Sequence, residues 1–370
     1  MAEYTICSKC IVDSIVHPSI KLDEHGVCDI CHIYDSLILK EISIKENKDS
    51  KLNALLEQIK VKAQNKEYDC IIGLSGGVDS AYLCIKAKEW GLRPLLLHID
   101  NGWNSELAVY NIEKIVDYTG FDLYTYVVKW TEIRDLVNAY LQASVIDIDI
   151  ANEMPFMAML YKIASKFNIQ YILTGHNVVT EGWMPLEVSF YKLDTLNVKD
   201  IHKQFGKIPL QTYPFIGPIK KWYYEKVLRI SMVSPLNYID YNKDEVKEYL
   251  KKTIGWIDYG AKHYENIFTR FYQGYILLEK FKIDKRKFHF SNLILSGQMT
   301  REEALQLLQT SPYSSTELLR DDREFVMKKL HLSNDEFHKI MQTEPKSHLD
   351  YKSYIYIYKI LSKIKRAILK

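Results

Sequence analysis

The chain has 370 residues, 47% of them hydrophobic and 26% charged, with a formal net charge of +2 at pH 7. That length holds one large domain or two to three modest ones. Near-neutral charge leaves no global basic excess with which a whole surface would grip nucleic acid, so nucleic acid is not the expected partner. No apolar run is long enough to span a bilayer, and the opening MAEYTICSKC has no charged-then-apolar leader, so a cytoplasmic protein is expected.

In chain order the first feature is a pair of cysteine knuckles, Cys7-x2-Cys10 and Cys28-x2-Cys31. A reducing compartment disfavours disulfides. Two short knuckles supplying two thiolates each are what a tetrahedral zinc ion takes. A redox or iron–sulfur role is the competing reading. Four committed thiolates leave no open coordination position, so a zinc here would be structural. Cys70 and Cys84 lie in apolar runs and are expected as packed core residues.

Residues 41–66 are rich in Lys and Glu, with Leu52, Leu55, Leu56 and Ile59 at helical spacing. From residue 69 the pattern alternates. CIIGL (70–74), PLLLHI (94–99), LYTYVV (123–128) and IQYILT (169–174) read as strands. Helices are expected over 78–90, over 105–120, from a cap at Thr131, and over about 153–167. Strands alternating with helices imply βαβ units, so the fold class is α/β, a doubly wound parallel sheet. Residues 183–238 carry many aromatics and five prolines and read as loops and short irregular elements. From about 242 the chain reads as helical, with capping boxes at Asn242/Glu245, Thr300/Glu303 and Ser333/Glu336. Three segments follow: a four-cysteine zinc-binding segment (1–40), a nucleotide-binding domain (41–240) and a helical C-terminal domain (241–370) for substrate or partner.

Between the first strand and its helix stands SGGVDS, residues 75–80. Strand, glycine-rich turn and helix make a phosphate cradle: glycines admit the phosphate, and the helix start offers free N–H groups. Leu74, Ser75, Gly76, Gly77, Val78, Asp79 and Ser80 are the candidate phosphate-binding residues. A carboxylate beside phosphates is repulsive unless a cation intervenes, so Asp79 points to Mg²⁺. The pattern is neither the Walker A loop nor G-x-G-x-x-G. A glycine pair in a plain turn is the bland alternative.

SGGVDS resembles the PP-loop of the ATP pyrophosphatases, in which the loop binds the pyrophosphate of ATP and the reaction adenylates a substrate. The resemblance implies that the backbone at His98 and Ile99 reads adenine and that Asp100 borders the nucleotide. TGHN, Thr174–Asn177, resembles the second nucleotide-side motif of these enzymes, which places Thr174, Gly175 and Asn177 on the nucleotide, and His176 with the following Glu181 in the reacting centre.

Among PP-loop enzymes the sequence is most similar to the N-acetyl sugar amidotransferase family of bacterial surface polysaccharide (O-antigen) biosynthesis. The resemblance rests on CSKCIVD…GVCDICH, TGHNVVTEG and FTRFYQGYILLEKFKIDKRKFHFSNLILSGQMTREEAL, over roughly residues 4–310. It implies that an acetamido group on a sugar, expected to be nucleotide-linked, is adenylated and its oxygen replaced by ammonia. The ammonia would come from a partner glutaminase and synthase pair resembling the histidine-biosynthesis amidotransferase, since the stretch before the loop is too short for a glutaminase domain. An anionic sugar needs cations. Arg270, Lys280, Lys285, Arg286 and Arg301 lie in the resembling stretch, with Lys285 and Arg286 placed in the reacting centre; a solvated helix face is the alternative. His263, Tyr272 and Gln273 are weaker candidates. A tRNA-modifying PP-loop enzyme that grips RNA with its zinc module, and a nucleotide-binding scaffold, are the other functional readings. The basic, apolar-striped tail 351–370 would pack, dock a partner or lie on an anionic membrane.

Overall fold

The computed structural model describes residues 4–45, 47–182, 184–185, 188–260 and 264–357. Helices α1 (Asp29–Lys45) and α2 (Lys48–Lys62) lead to β1 (Cys70–Gly73) and α3 (Val78–Glu89). Then come β2 (Pro94–Asp100), α4 (Glu106–Thr119), β3 (Leu123–Val127), α5 (Trp130–Ala143), α6 (Ile150–Lys166) and β4 (Tyr171–Leu173). The stretch expected as loop holds α7 (Thr195–Phe205), the short α8 (Pro218–Trp222) and a fifth strand, β5 (Ser231–Val233). The prolines there bracket α7 without entering it. Asp194 caps it by accepting from Asn197 N, and Val198 and Ile201 bury its inner face.

The five strands are parallel and ordered β3-β2-β1-β4-β5. The chain runs outward from β1 to β3, then returns to place β4 on the other side of β1. That reversal opens a crevice beyond the carboxyl ends of β1 and β4, where ligands bind in doubly wound sheets. Strand side chains alternate between two layers. Ile71, Leu95, Leu97, Ile99 and Ile172 face the layer of α5 and α6, whereas Cys70, Ile72, Leu96 and Leu173 face that of α2, α3 and α4. Cys70 and Cys84 are fully buried, as expected of core thiols.

Two helix starts differ from the sequence reading. Thr131 does not cap α5; the helix begins at Trp130, with Lys129 at the N-cap position. Helix α6 begins at Ile150, ahead of the expected 153. Pro155 lies inside it and has no N–H for the carbonyl of Ala151. The hydroxyl of Tyr213 donates to that carbonyl instead, at 2.7 Å, so the first turn survives.

Beyond β5 the chain is helical. Helix α9 (Lys243–Ile254) starts at Asn242, whose Oδ1 accepts from Asp244 N and Glu245 N. Its Val246, Leu250 and Ile254 join the α3 layer. Helices α10 (Ile267–Phe271) and α11 (Leu277–Phe281) are joined by a widened π turn, Tyr272–Ile276. Then follow α12 (Arg286–Leu295), α13 (Arg301–Leu308), α14 (Thr316–Leu330) and α15 (Asn334–Gln342). The boxes at Thr300/Glu303 and Ser333/Glu336 are complete. No described helix is long and apolar enough to cross a membrane. Most of the basic tail, from residue 358, and the candidate His263 lie outside the described residues.

Candidate active site

The loop after β1 folds through hydrogen bonds of its own. Ser75 Oγ accepts from Gly77 N at 3.2 Å, and Ser80 Oγ donates to Gly77 O at 3.1 Å. Gly76 has φ +82°, a left-handed conformation, and a Cβ there would stand 2.6 Å from the carbonyl oxygen of Ala108. Gly77 has an ordinary φ of −72° and opens α3 as its N-cap. The first turn of α3 thus points at a cavity of about 490 Å³, lined here by Ser75, Gly77, Val78, Asp79 and Ser80.

Segments remote in sequence hold this loop. Trp256 Nε1 donates to Gly76 O at 3.0 Å, and the Tyr259 hydroxyl accepts from Val78 N at 3.1 Å. The Tyr241 hydroxyl donates to the Asp79 carboxylate. Burial first, and the Asp79 charge second, push that phenol far above its ordinary range, so it remains a donor. None of these three aromatics stands out in the sequence, where tyrosines are frequent; the only local signal is Gly255 and Gly260 flanking WIDY, both at positive φ.

On β2, the Nδ1 of His98 faces Leu74 O at 3.0 Å, and a carbonyl can only accept, so Nδ1 carries the proton and Nε2 faces the Asn104 amide at 3.0 Å. His98 and Ile99 line the cavity. Asp100 does not: its carboxylate accepts from Gly102 N at 2.8 Å and closes the turn after β2, while Asn101 takes the lining position. After β4, Thr174, Gly175 and His176 line the cavity. Gly175 passes so close to α3 that a Cβ would lie 2.8 Å from the Asp79 carbonyl carbon. His176 Nδ1 and a Glu181 carboxylate oxygen are 2.7 Å apart, and both residues reach the cavity. Asn177 is fully buried behind it, with Oδ1 accepting from the N–H and the hydroxyl of Thr180. It shapes the loop and does not line the cavity.

The five cations of the C-terminal stretch separate. Lys285 is 9% exposed and lines the cavity. Arg286 does not; it binds Asp284 and donates to the carbonyls of Leu307 and Thr310. Arg270 pairs with buried Asp322 at 2.6 Å, Lys280 donates to Ile340 O, and Arg301 donates to the carbonyls of Cys7 and Cys10. These four are neither in the cavity nor on a solvated face. Each is consumed by a carboxylate or by backbone carbonyls.

Sequence reasoning found Lys285 and Gln273 but missed the residues that line the cavity beside them. Asp149, Asn152 and Glu153 from the start of α6 line it, with Thr269 and Gln273 from α10 and the π turn. Asp149 accepts from Thr269 Oγ1 at 3.1 Å, and burial, with the Glu153 charge behind it, holds its carboxyl above the ordinary range. Tyr272, a weak candidate, is core: fully buried, its hydroxyl donates to Ile146 O. Gln273 is the one that reaches the cavity.

The four N-terminal cysteines converge. Sγ–Sγ separations are 3.7 Å for Cys7–Cys31, 3.7 Å for Cys10–Cys28 and 3.6 Å for Cys28–Cys31. Tetrahedral ligands at about 2.3 Å from zinc stand about 3.8 Å apart, so the set fits. Cys10 N and Cys28 N donate to Cys7 Sγ, which favours the thiolate form that binds metal. The cluster is docked on the C-terminal helices. Ile11 N donates to Ser291 Oγ, Lys287 pairs with buried Asp13, and Ile283 and Phe288 pack beneath it.

Residues 265–365 match the family described as LPS biosynthesis protein WbpG-like, C-terminal domain. The matched stretch begins just before α10 and follows the parallel sheet and its glycine loop. No curated protein matches it significantly. Among solved structures it is similar to NMN synthetase from Francisella tularensis, at 16% identity and a TM-score of 0.38 over 78% of this chain and 97% of that one. NH3-dependent NAD synthetase from Campylobacter jejuni aligns at 13% identity and a TM-score of 0.30 over 81% and 98%. A predicted tRNA methyltransferase subunit from Methanocaldococcus jannaschii aligns at 13% and 0.29 over 49% and 74%.

Proposed function

We propose that the chain is an ATP-dependent amidotransferase of surface polysaccharide synthesis, which converts an acetamido group on an anionic, nucleotide-linked sugar into an acetamidino group. The observation that carries this reading is one cavity lined by two dissimilar sets of residues. One is a glycine loop at a helix start. The other is Thr269, Gln273 and Lys285 from the segment that matches the WbpG-like domain.

At the loop the ATP pyrophosphate lies over the start of α3 and takes the Val78 N–H from the Tyr259 hydroxyl. Asp79 would hold Mg²⁺, which supplies charge neutralisation on the phosphate oxygens. The adenine lies along the backbone at His98 and Ile99. An amide oxygen is a poor leaving group; once bonded to the α-phosphorus it departs as AMP when ammonia attacks the carbon. Ammonia comes from a separate glutaminase and synthase partner, and Glu181 with His176 receives it at the cavity mouth. The four-cysteine cluster holds a structural zinc. The protein works in the cytoplasm.

Purified protein incubated with Mg-ATP, a high concentration of ammonium and a panel of UDP-linked diacetamido sugars tests this by mass spectrometry. Replacement of one oxygen by NH, with AMP and pyrophosphate released, supports the reading and names the sugar. Silence on every sugar, with AMP appearing on addition of tRNA and a sulfur donor, overturns it in favour of RNA modification.

A further inference from the structure

We propose that the first turn of α6 receives the amide group of the acceptor, Asn152 donating to its oxygen and Asp149 accepting from its N–H. The inference rests on the reading above that the acceptor carries an acetamido group.

Asp149 and Asn152 are three residues apart at a helix start, so their side chains share one face, and both line the cavity. Asn152 is 7% exposed. Its Oδ1 accepts from Asn101 Nδ2 at 3.4 Å, while its Nδ2 has no hydrogen-bond partner among the described residues. A buried N–H left unpaired costs the full desolvation of that group, so this donor is built for an acceptor that arrives with a ligand. Asp149 is 2% exposed. Thr269 Oγ1 and Gln273 Nε2, at 3.1 and 3.5 Å, each meet one of its oxygens. A carboxylate has about four lone-pair sites, so two remain for a ligand.

Asp149 keeps its two open acceptor sites among neighbouring charges of both signs. Asp147 and Glu153 are both paired with Lys192, at 2.8 and 3.2 Å. Lys285 lies 9% exposed in the same cavity. Its ammonium acts on Asp149 in favour of the ionised form, against burial and Glu153. A secondary amide presents an acceptor oxygen and a donor N–H on one planar group. One turn of helix with one unpaired donor and one under-used acceptor matches it.

The placement fits the chemistry. One lone pair of the amide oxygen takes the Asn152 N–H, and the other attacks the α-phosphorus. As that O–P bond forms, the P–O bond to pyrophosphate breaks, the amide C–N bond becomes double, and the nitrogen gives its proton to Asp149. Ammonia then bonds to the imidate carbon, and the C–O bond breaks with its electron pair leaving on AMP. The extra ammonia proton stays on the amidine as its cation, and Asp149 returns its own proton to the departing phosphate.

The test uses the full chain with Mg-ATP and UDP-N-acetylglucosamine as probe. Saturation-transfer NMR reads whether the acetyl methyl lies against the protein. The isosteric variants Asn152→Asp and Asp149→Asn are compared, with Asn152→Ser in reserve and melting temperature and ATP affinity as fold controls. The wild type is expected to saturate the methyl above the sugar-ring protons. Asn152→Asp should weaken probe binding about tenfold, the worth of one buried hydrogen bond. Asp149→Asn should keep the methyl saturation but lose about 100-fold in kcat on a reacting sugar, as loss of a general base does, with KM within about threefold. An unsaturated methyl in the wild type, or variants that both behave as wild type, overturns the subsite. Methyl saturation that disappears in Asn152→Asp, without turnover of any sugar by the wild type, keeps the subsite and sinks the proposed reaction.

Discussion

Two adjacent glycines in the loop should fail for different reasons when given a methyl group. Gly76 sits at φ +82°, where an alanine pays about 1–2 kcal/mol for the left-handed conformation alone. Its Cβ would also stand 2.6 Å from the Ala108 carbonyl oxygen, backbone that cannot rotate away, so α4 must shift. Gly77 is at φ −72°, which any residue adopts, and the nearest atoms to its Cβ are the ends of Glu265 and Ser75 at 3.1 Å. Alanine there costs the fold little and removes backbone freedom from the unfolded chain, a stabilisation of about 0.4–1 kcal/mol. Its methyl, however, would stand in the cavity where a phosphate approaches the start of α3. Gly76→Ala should therefore lower the melting temperature by several degrees, at roughly 2–4 °C per kcal/mol for a large domain. Gly77→Ala should melt within about 2 °C of the wild type and lose ATP affinity about tenfold or more. Differential scanning fluorimetry and calorimetric ATP titration separate the two. A destabilised Gly77→Ala with intact ATP binding, or an unaffected Gly76→Ala, refutes the assignment.

Asp79→Asn keeps the shape of a side chain that Tyr241 anchors but removes the charge that would hold Mg²⁺; AMP formation should fall about 100-fold or more at unchanged melting temperature, and normal turnover would exclude the cation role. Cys28→Ser should take zinc from about one per chain to none by elemental analysis and lower stability; full stability without metal would refute a structural site. His348 is buried with Nε2 accepting from Asp147 N at 3.2 Å and Nδ1 facing Asn197 Oδ1 at 2.9 Å, and burial pushes its pKa down to about 4. Because the unfolded imidazole takes its proton near pH 6.5, the folded state should lose stability as pH falls from 6.5 towards 4, at about 1.4 kcal/mol per unit. Urea midpoints of wild type and His348→Gln should converge across that window, and a constant gap would contradict a neutral buried His348.

Strands β1, β2 and β4 were legible because parallel strands buried on both faces read as apolar runs, and their helices carry caps and glycine stops; the largely exposed edge strand β3 was legible from its aromatic and β-branched residues. The glycine loop between β1 and α3 was legible because its six residues are contiguous. The fifth strand was not, being three residues among prolines, and neither was α7, whose one-sided burial those prolines mask. The site's other half is non-local. Tyr241, Trp256 and Tyr259 reach the loop from 162, 180 and 181 residues away. Four arginines and lysines invited a phosphate-binding reading because sequence shows the charge and hides the partner: Asp322 for Arg270, knuckle carbonyls for Arg301. Asp149 and Asn152 sit in an ordinary IDIDIANEM run, where only burial separates them from solvent-facing residues.

The placement of the cysteine cluster bears on the choice between a sugar and an RNA substrate. An RNA grip needs exposed cations to displace counterions from the phosphate backbone. Residues 4–37 carry two lysines, Lys9 and Lys21, no arginine, and five acids, Asp13, Asp23, Glu24, Asp29 and Asp35. Lys9 is itself paired with Asp35 at 2.8 Å. The segment is thus net acidic, and its specific contacts point inward. Arg301 holds the carbonyls of Cys7 and Cys10 from the start of α13, while Lys287 and Ser291 hold Asp13 and Ile11 from α12. Lys285 is the N-cap residue of that same α12. A metal that fixes the knuckles fixes the carbonyls Arg301 holds, and with them the helix pair that carries Lys285 into the cavity. On the proposed reading the cluster therefore acts on acceptor binding through α12. Chelating the zinc should raise the KM for the sugar while sparing that for ATP, whereas a loss confined to ATP binding would break this link.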